Sequence, residues 1–338
     1  MNDNWIFNVT TIDDSIKQLA IKELKKNPDA LKSMSQAFKE NNEIVLAAVK
    51  KNGLVLEFAD NKLKKDENIV IAAVKNYPDS LKFADPSLKK NKKIITAALK
   101  EYGYPIKYAD DSLKRDKEII LKSLKGNNNV SESLGHPLQH IDVSFRKNKE
   151  VMIAAIRNDK AALKFLDPKF KKDQDVIFEA VKQDFKVLEF ADKSFRKNKQ
   201  IILAALINNG EALKYADPSL QKDKKVVLNA VNSLGHALQY AHPTLRKDKK
   251  IVLEAIGKDP MELKYADNKL KKDEKLVMKA VKDFGGALQF ADKSLKKNKK
   301  IVLEAVKQNG QALQYADDSL KNDPDILAIV NKDKWKNF

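Results

Sequence analysis

The chain repeats itself every 25 residues, and this period constrains the fold more than any other feature. A triplet of the form aromatic–Ala–Asp, with some variation, ends at Asp60, Asp85, Asp110, Asp142, Asp167, Asp192, Asp217, His242, Asp267, Asp292 and Asp317. Every step is 25 residues except that from Asp110 to Asp142, which is 32, an insertion of seven. A weaker copy, Ser33-Met34-Ser35, lies 25 residues before Asp60 and brings the anchors to twelve. Residues 217–241, DPSLQKDKKVVLNAVNSLGHALQYA, are the clearest unit.

Numbering each unit from its anchor as position 0 gives a local structure. Position 3 is Leu or Phe in every copy and position 6 is always Asp or Asn, as at Asp66, Asn91, Asp116 and Asn198. Positions 9 and 10 are aliphatic or Met152, position 13 is nearly always Ala, and position 14 is aliphatic until the last unit. An Asp or Asn ahead of apolar residues at this spacing predicts an N-cap and an amphipathic helix of about ten residues, helix A. Gly or Pro at position 18, as at Gly53, Pro78, Gly210, Pro260 and Gly310, suggests where helix A stops. A second short helix, B, then carries Leu or Ile106 at position 21 and an aromatic at position 23, both expected in the core. The Asp at position 0 caps one further turn. Nothing alternates with period two, so no sheet is expected.

One unit buries far too little apolar surface to offset the entropy of ordering its backbone, so its neighbours must complete the core. The expected fold is therefore all-α: an α-solenoid of about twelve 25-residue repeats, each with one longer helix, one short helix and a capped turn. Residues 1–29 read as an N-terminal lead-in and cap helix, with Asp13, Asp14 and Ser15 at its start and Leu19 and Leu24 on its face. Regular repeats follow over 30–124 and 143–322, separated by an irregular repeat at 125–142 that holds the insertion. Residues 323–338 read as a C-terminal cap helix and tail, with Asn331 where other units are aliphatic. Trp5 and Trp335 are expected to cover the ends of the core.

The unit A-L-x-Y-A-D-x-S-L-K-K-D-K-x-I-V-L-x-A-V resembles a family of bacterial, protist and large-virus proteins known only as a helical repeat domain of unknown function. The resemblance covers about residues 30–330 and implies no catalytic residues. More distantly the unit is similar to the leucine-rich repeat variant proteins, which implies alternating α and 3₁₀ helices.

Composition narrows the chemistry. There is no Cys, which excludes disulfides, thiolate metal sites and a thiol nucleophile. The longest apolar runs are five or six residues between lysines, too short for a membrane span. The start, MNDNWIFNVTTIDDS, lacks the features of a secretory signal, so a cytoplasmic location, or delivery into a host cell without a conventional signal, is expected. No phosphate-loop, dinucleotide, nucleophile-elbow or zincin motif occurs. His136 and His140 are four apart, but His140 holds position 23 and Pro137 lies between them. His136 and His236 share one slot in units four repeats apart, and His242 replaces a capping Asp, so the four histidines read as structural. The repeated carboxylates read as helix caps. These readings predict no catalytic, cofactor-binding or metal-binding residue, no cofactor, no small-molecule substrate and no enzymatic activity, an activity hidden in the irregular region 125–142 being the weaker alternative.

Two sets of residues stand outside the core pattern. The first is basic: the net charge is +18, and positions 4 and 5 hold Lys or Arg in eleven and ten of twelve units. The members are Lys64, Lys65, Lys89, Lys90, Lys114, Arg115, Arg146, Lys147, Lys171, Lys172, Arg196, Lys197, Lys222, Arg246, Lys247, Lys271, Lys272, Lys296 and Lys297. A fixed repeat position stacks into a stripe, which could track a nucleic-acid backbone by charge neutralisation or lie on anionic lipid. It also suits a solvated edge that keeps the array soluble, and the excess of Lys over Arg favours that role. The second set is position 19, which varies within the chain: Asp79, Tyr104, His136, Lys186, Glu211, His236 and Met261. Positions free of the stacking requirement are expected at the surface, as partner-binding candidates. The insertion at Lys125-Gly126-Asn127-Asn128-Asn129 is another. The expected function is a non-enzymatic scaffold that binds another macromolecule, foremost a protein, through an extended solenoid surface. The alternative is sequence-independent nucleic-acid binding along the basic edge, and a membrane surface ranks lower.

Overall fold

The computed structural model describes residues 11–126, 135–233 and 236–334. Trp5, Trp335 and Asn127–Asn129 lie outside the described residues, so the expectations placed on them are not addressed. The chain divides into two compact units, residues 1–170 and 171–338. Each is an all-α solenoid of stacked repeats, with no β-strand among the described residues.

The cap helix α1 (Asp14–Lys26) begins as expected: Asp13 accepts from the Ile16 N–H at 2.8 Å. Its buried face holds Ala20 and Leu24, whereas Leu19, expected there, is exposed. Helix A follows in every repeat. In the first unit these are α2 (Asn42–Val49), α3 (Glu67–Asn76), α4 (Lys92–Ala98), α5 (Lys117–Lys125) and α6 (Lys149–Asn158). In the second unit they are α7 (Gln174–Gln183), α8 (Lys199–Leu206), α9 (Lys224–Asn232), α10 (Lys249–Lys258), α11 (Glu274–Asp283), α12 (Lys299–Gln308) and the closing α13 (Pro324–Lys334). Position 6 is the N-cap in all of them. Asp66, for example, accepts from the N–H groups of Asn68 and Ile69 at 2.8 and 3.0 Å, and Asp323 does the same for α13. These are the amide groups a helix start leaves without intrahelical partners.

Apart from α5, whose cap is Gly126, helix A does not end on glycine. Where it runs to ten residues, the cap is the residue at position 17, whose φ lies between −144° and −153°. The N–H of that residue returns to the position 13 carbonyl, as from Tyr77 to Ala73 at 2.8 Å. Position 18 instead opens helix B, and Pro78 and Pro260 sit there because a first-turn residue needs no N–H partner. The short helix is 3₁₀, as in Pro78–Phe83 and Gly210–Tyr215, in agreement with the alternation the distant resemblance implied.

The core is built from positions 9, 10, 13 and 14 of helix A with positions 21 and 24 of helix B; Ile69, Val70, Ala73, Val74 and Leu81 have no exposed surface. The aromatic at position 23 is not in it, contrary to expectation. Phe58, Phe83, Tyr108, Tyr215 and Tyr265 are half-buried at the edge, each with a lysine ammonium 4.6–5.8 Å from its ring centre. The tight 3₁₀ turn sends positions 21 and 24 inward together, which leaves position 23 outside.

Successive repeats are joined by a backbone ladder. The N–H of position 0 donates to the position 4 carbonyl one repeat earlier: Asp85 to Lys64, Asp110 to Lys89, Asp217 to Arg196 and Asp292 to Lys271, at 2.8–3.0 Å. The anchor Asp therefore serves twice, since its carboxylate also caps the following turn, as on the Ser219 N–H at 3.0 Å.

Candidate functional site

The basic edge is largely engaged within the protein. Position 4 side chains are half-buried, apart from exposed Lys171. Many fold back onto carbonyls at positions 21 and 22, the open end of the 3₁₀ helix. Lys89 reaches the Lys82 carbonyl at 3.0 Å, Arg146 that of Leu138 at 2.9 Å, Arg246 that of Gln239 at 2.7 Å and Lys296 that of Gln289 at 2.7 Å. Gln221, the one neutral member of the row, makes the same bond to Leu213 at 3.1 Å. The position thus requires a hydrogen-bond donor for orphan carbonyls, not a charge.

Position 5 points to solvent but leans on the next repeat. Lys65, Lys90, Arg115, Lys272 and Lys297 lie 2.9–4.0 Å from Asp85, Asp110, Asp142, Asp292 and Asp317. A second ladder uses position 7. Lys92, Lys199, Lys224, Lys249 and Lys299 pair with the capping Asp116, Asp223, Asp248, Asp273 and Asp323 one repeat on. Each of these lysines holds its partner carboxyl below the ordinary carboxylate range, chiefly through that hydrogen bond. Exposed pairs of this kind stabilise little individually, but they answer much of the positive charge that the sequence places on this edge.

Position 19 is not a uniform surface. Tyr104 and His136 are buried, and Asp79 nearly so. Asp79 accepts from the hydroxyls of both Tyr104 and Tyr108 at 2.5 Å, and burial together with that carboxylate pushes both phenols well up. His136 accepts from the Leu138 N–H at 3.1 Å, and burial holds its imidazole below the ordinary histidine range. Its slot-mate His236 lies 3.0 Å from Asp259 and 3.1 Å from Glu262 of the next repeat. Glu262 is buried, which raises its carboxyl, and accepts from the Leu238 N–H at 2.8 Å. Variation at position 19 therefore tracks local contacts between repeats; Lys186 and His236 are exposed, while Glu211 and Met261 are half-buried. Pro137–Gln139 is a 3₁₀ turn with His136 as its cap, so His136 and His140 do not share a helix face. No group of three or more His, Asp or Glu converges on a metal-sized site among the described residues.

The sequence reading missed the outer face of helix A. Position 11 is apolar in most repeats and only half-buried, as at Leu46, Ile71, Leu121 and Ile153 in the first unit. Position 15 of the same helices is Lys50, Lys75, Lys100, Lys125 and Arg157, all exposed. Adjacent helices leave a cleft between these positions. One, of about 560 Å³, is lined by Leu46, Lys50, Asn68, Ile71, Ala72, Lys75 and Asn76. Another of about 560 Å³, three repeats on, is lined by Leu121, Lys125, Lys149, Glu150, Ile153, Ala154 and Arg157. The two share six of their seven repeat positions, Asn76 and Lys149 being the exceptions. The signal was present in the sequence: positions 9 and 10 already supply the inward face, so a third consecutive apolar residue exceeds what stacking needs.

Comparison with known families bears on the whole array. The profile described as a domain of unknown function, DUF4116, matches residues 17–64, 41–89, 91–146, 116–171, 148–196, 173–221, 223–271, 248–296, 273–321 and 298–329. The chain belongs to the DUF4116 family. The full-length DUF4116 matches each span about two 25-residue units, and they overlap along the chain as a tandem array must. No curated protein and no solved structure matches the chain. No helix among the described residues is long and apolar enough to cross a membrane.

Proposed function

We propose that this DUF4116 chain is a non-enzymatic repeat scaffold that binds another protein through an extended solenoid surface. The observation that carries the reading is the recurrence of one apolar cleft at equivalent positions of different repeats, an arrangement suited to a long partner contacted repeat by repeat. The remaining half of the reading concerns charge. Position 4 is occupied in hydrogen-bonding carbonyls and position 5 in pairing with Asp, which leaves less of the net charge of +18 for a polyphosphate. The aromatic rings at position 23 already carry lysines over their faces and do not form a bare stacking platform.

Sequence-independent nucleic-acid binding is the second reading, favoured by the high exposure of the position 5 side chains, such as Lys65 at 63% and Lys90 at 67%. A salt titration with a duplex of arbitrary sequence separates the two. The scaffold reading expects weak DNA binding and a nuclease-resistant protein complex that can be rebuilt from purified components. Log-linear loss of duplex affinity with salt, with a slope reduced by Lys65→Glu and Lys90→Glu, would establish the second reading instead.

A further inference from the structure

From the outer face of helices α2–α6 we infer a docking groove for an acidic, extended protein segment carrying apolar anchors. The inference rests on the protein-binding reading above and specifies its site and its ligand chemistry.

Three observations converge. First, the pairing of Ala at position 12 with a cation at position 15 is confined to the first unit. Position 12 there is Ala47, Ala72, Ala97 and Ala154, with Lys122 the exception, so small side chains leave the half-buried apolar residues Leu46, Ile71 and Ile153 accessible. In the second unit no repeat combines Ala at position 12 with a cation at position 15. Larger polar groups such as Asn229, Glu254 and Glu304 stand at position 12 instead.

Second, four lysines of this groove stand without an ion pair among the described residues. Lys50, Lys75, Lys100 and Lys125 make no ion pair among the described residues, unlike the lysines at positions 5 and 7. In the second unit Lys182 is paired with Glu179 at 2.9 Å, while Lys282 and Lys307 carry no ion pair among the described residues but follow Lys279 and Glu304, not Ala, at position 12. A row of unpaired lysines beside an apolar floor is complementary to carboxylates set beside apolar side chains.

Third, the spacing selects an extended chain. Packed helices lie about 8–10 Å apart, and an extended strand advances about 3.3 Å per residue. One repeat therefore meets roughly three residues of the partner, and an apolar–x–acid triplet would present the same pair of groups to each cleft. The clefts are shallow and open, so apolar side chains of the partner would lie against Leu46, Ile71, Leu121 and Ile153.

The test measures binding of the full chain to a fluorescent peptide of repeated Leu-Ser-Glu triplets by anisotropy. Saturable binding is expected, lost when Leu is replaced by Ser or Glu by Lys in the peptide. Lys75→Glu with Lys100→Glu, and separately Ala72→Glu with Ala97→Glu, should each weaken it by about tenfold or more. The second pair introduces a residue type that the same repeat position already holds at Glu254 and Glu304, so folding is expected to survive, and circular dichroism checks it. Lys65→Glu with Lys90→Glu changes the net charge equally but should leave affinity within about twofold. Absence of saturable binding, indifference to the loss of Leu, or an equal loss in the Lys65/Lys90 variant overturns the groove. So does binding to phosphatidylserine vesicles or duplex DNA that depends on Lys75 and Lys100 while the peptide does not bind. If a purified protein partner binds undiminished to both groove variants, the groove is wrong and the scaffold reading stands. If only salt-sensitive duplex binding is found, both fail.

Discussion

At three position 18 sites, Gly53, Gly210 and Gly285, glycine is required by space, not by an unusual backbone dihedral. A Cβ on Gly53 would stand 2.2 Å from the Ala73 carbonyl oxygen, and on Gly210 2.3 Å from that of Ala230. The N–H of Gly53 also donates to Asn76 of the next repeat at 2.7 Å, which holds the two backbones together. Gly53→Ala is therefore expected to destabilise by about 1–3 kcal/mol, the range for overpacking a tight contact. Gly257 is the counter-example: it lies in α10, and the nearest atom to its Cβ would be 3.8 Å away on Lys279. Gly257→Ala should stabilise by up to about 1 kcal/mol through helix propensity alone. Chemical denaturation of the two variants beside the parent checks both signs, and equal effects would contradict the packing account. The same contrast explains why the sequence located these glycines but misread their role: a close approach to another repeat leaves no local signature.

At the scale of the element, the cap at position 0 links structure to pH. The carboxyls of Asp85, Asp110, Asp142, Asp192, Asp217 and Asp317 are held below the ordinary carboxylate range, first of all by the hydroxyl of the Ser two residues on. Asp292 is lowered too, first by the Ser294 N–H. A carboxyl more acidic in the folded chain stabilises it above the unfolded pKa of about 3.9. That contribution is lost as pH falls through the lower folded value. The melting temperature is thus expected to drop steeply below about pH 4. His136, whose pKa is depressed by burial, adds a shallower loss that begins below about pH 6.5, the ordinary histidine value. Glu262 acts in the opposite sense, because its raised carboxyl is easier to bury when protonated. Replacing Asp217, Asp292 and Asp317 by Asn keeps the cap acceptor and removes the titration, so the acid limb should flatten. An unchanged limb would show that these caps do not control it. Capping was legible in the sequence because Asp and Ser stand two apart in one chain segment. The lysines that lower the position 6 caps were not, because they come from the repeat before.

At the largest scale, the near-identical repeats of the second unit, joined by one backbone ladder, predict tolerance to deletion in register. Removing residues 217–241 brings His242 directly after Ala216, where its N–H can meet the Arg196 carbonyl that Asp217 uses now. Such a chain is expected to keep its helicity per residue and to melt only a little lower, as nearest-neighbour cohesion requires. Removing 230–241 instead breaks the register and should abolish cooperative folding; far-ultraviolet circular dichroism on heating distinguishes the two. The sequence alone determined the repeat length, the helix caps, the all-α solenoid class and most of the core, because those features depend on spacing within one unit. It placed the position 23 aromatics in the core and position 19 at the surface, and the tertiary structure reversed both for Phe83 and for Tyr104. It also could not separate the lysines that serve the fold from those left unpaired. Lys89 and Lys75 are both lysines at fixed repeat positions; only packing turns the first onto a carbonyl and leaves the second beside an apolar cleft. Periodicity records which residues recur, while partners across repeats are set by three-dimensional stacking, and the docking proposed for this surface depends on the latter.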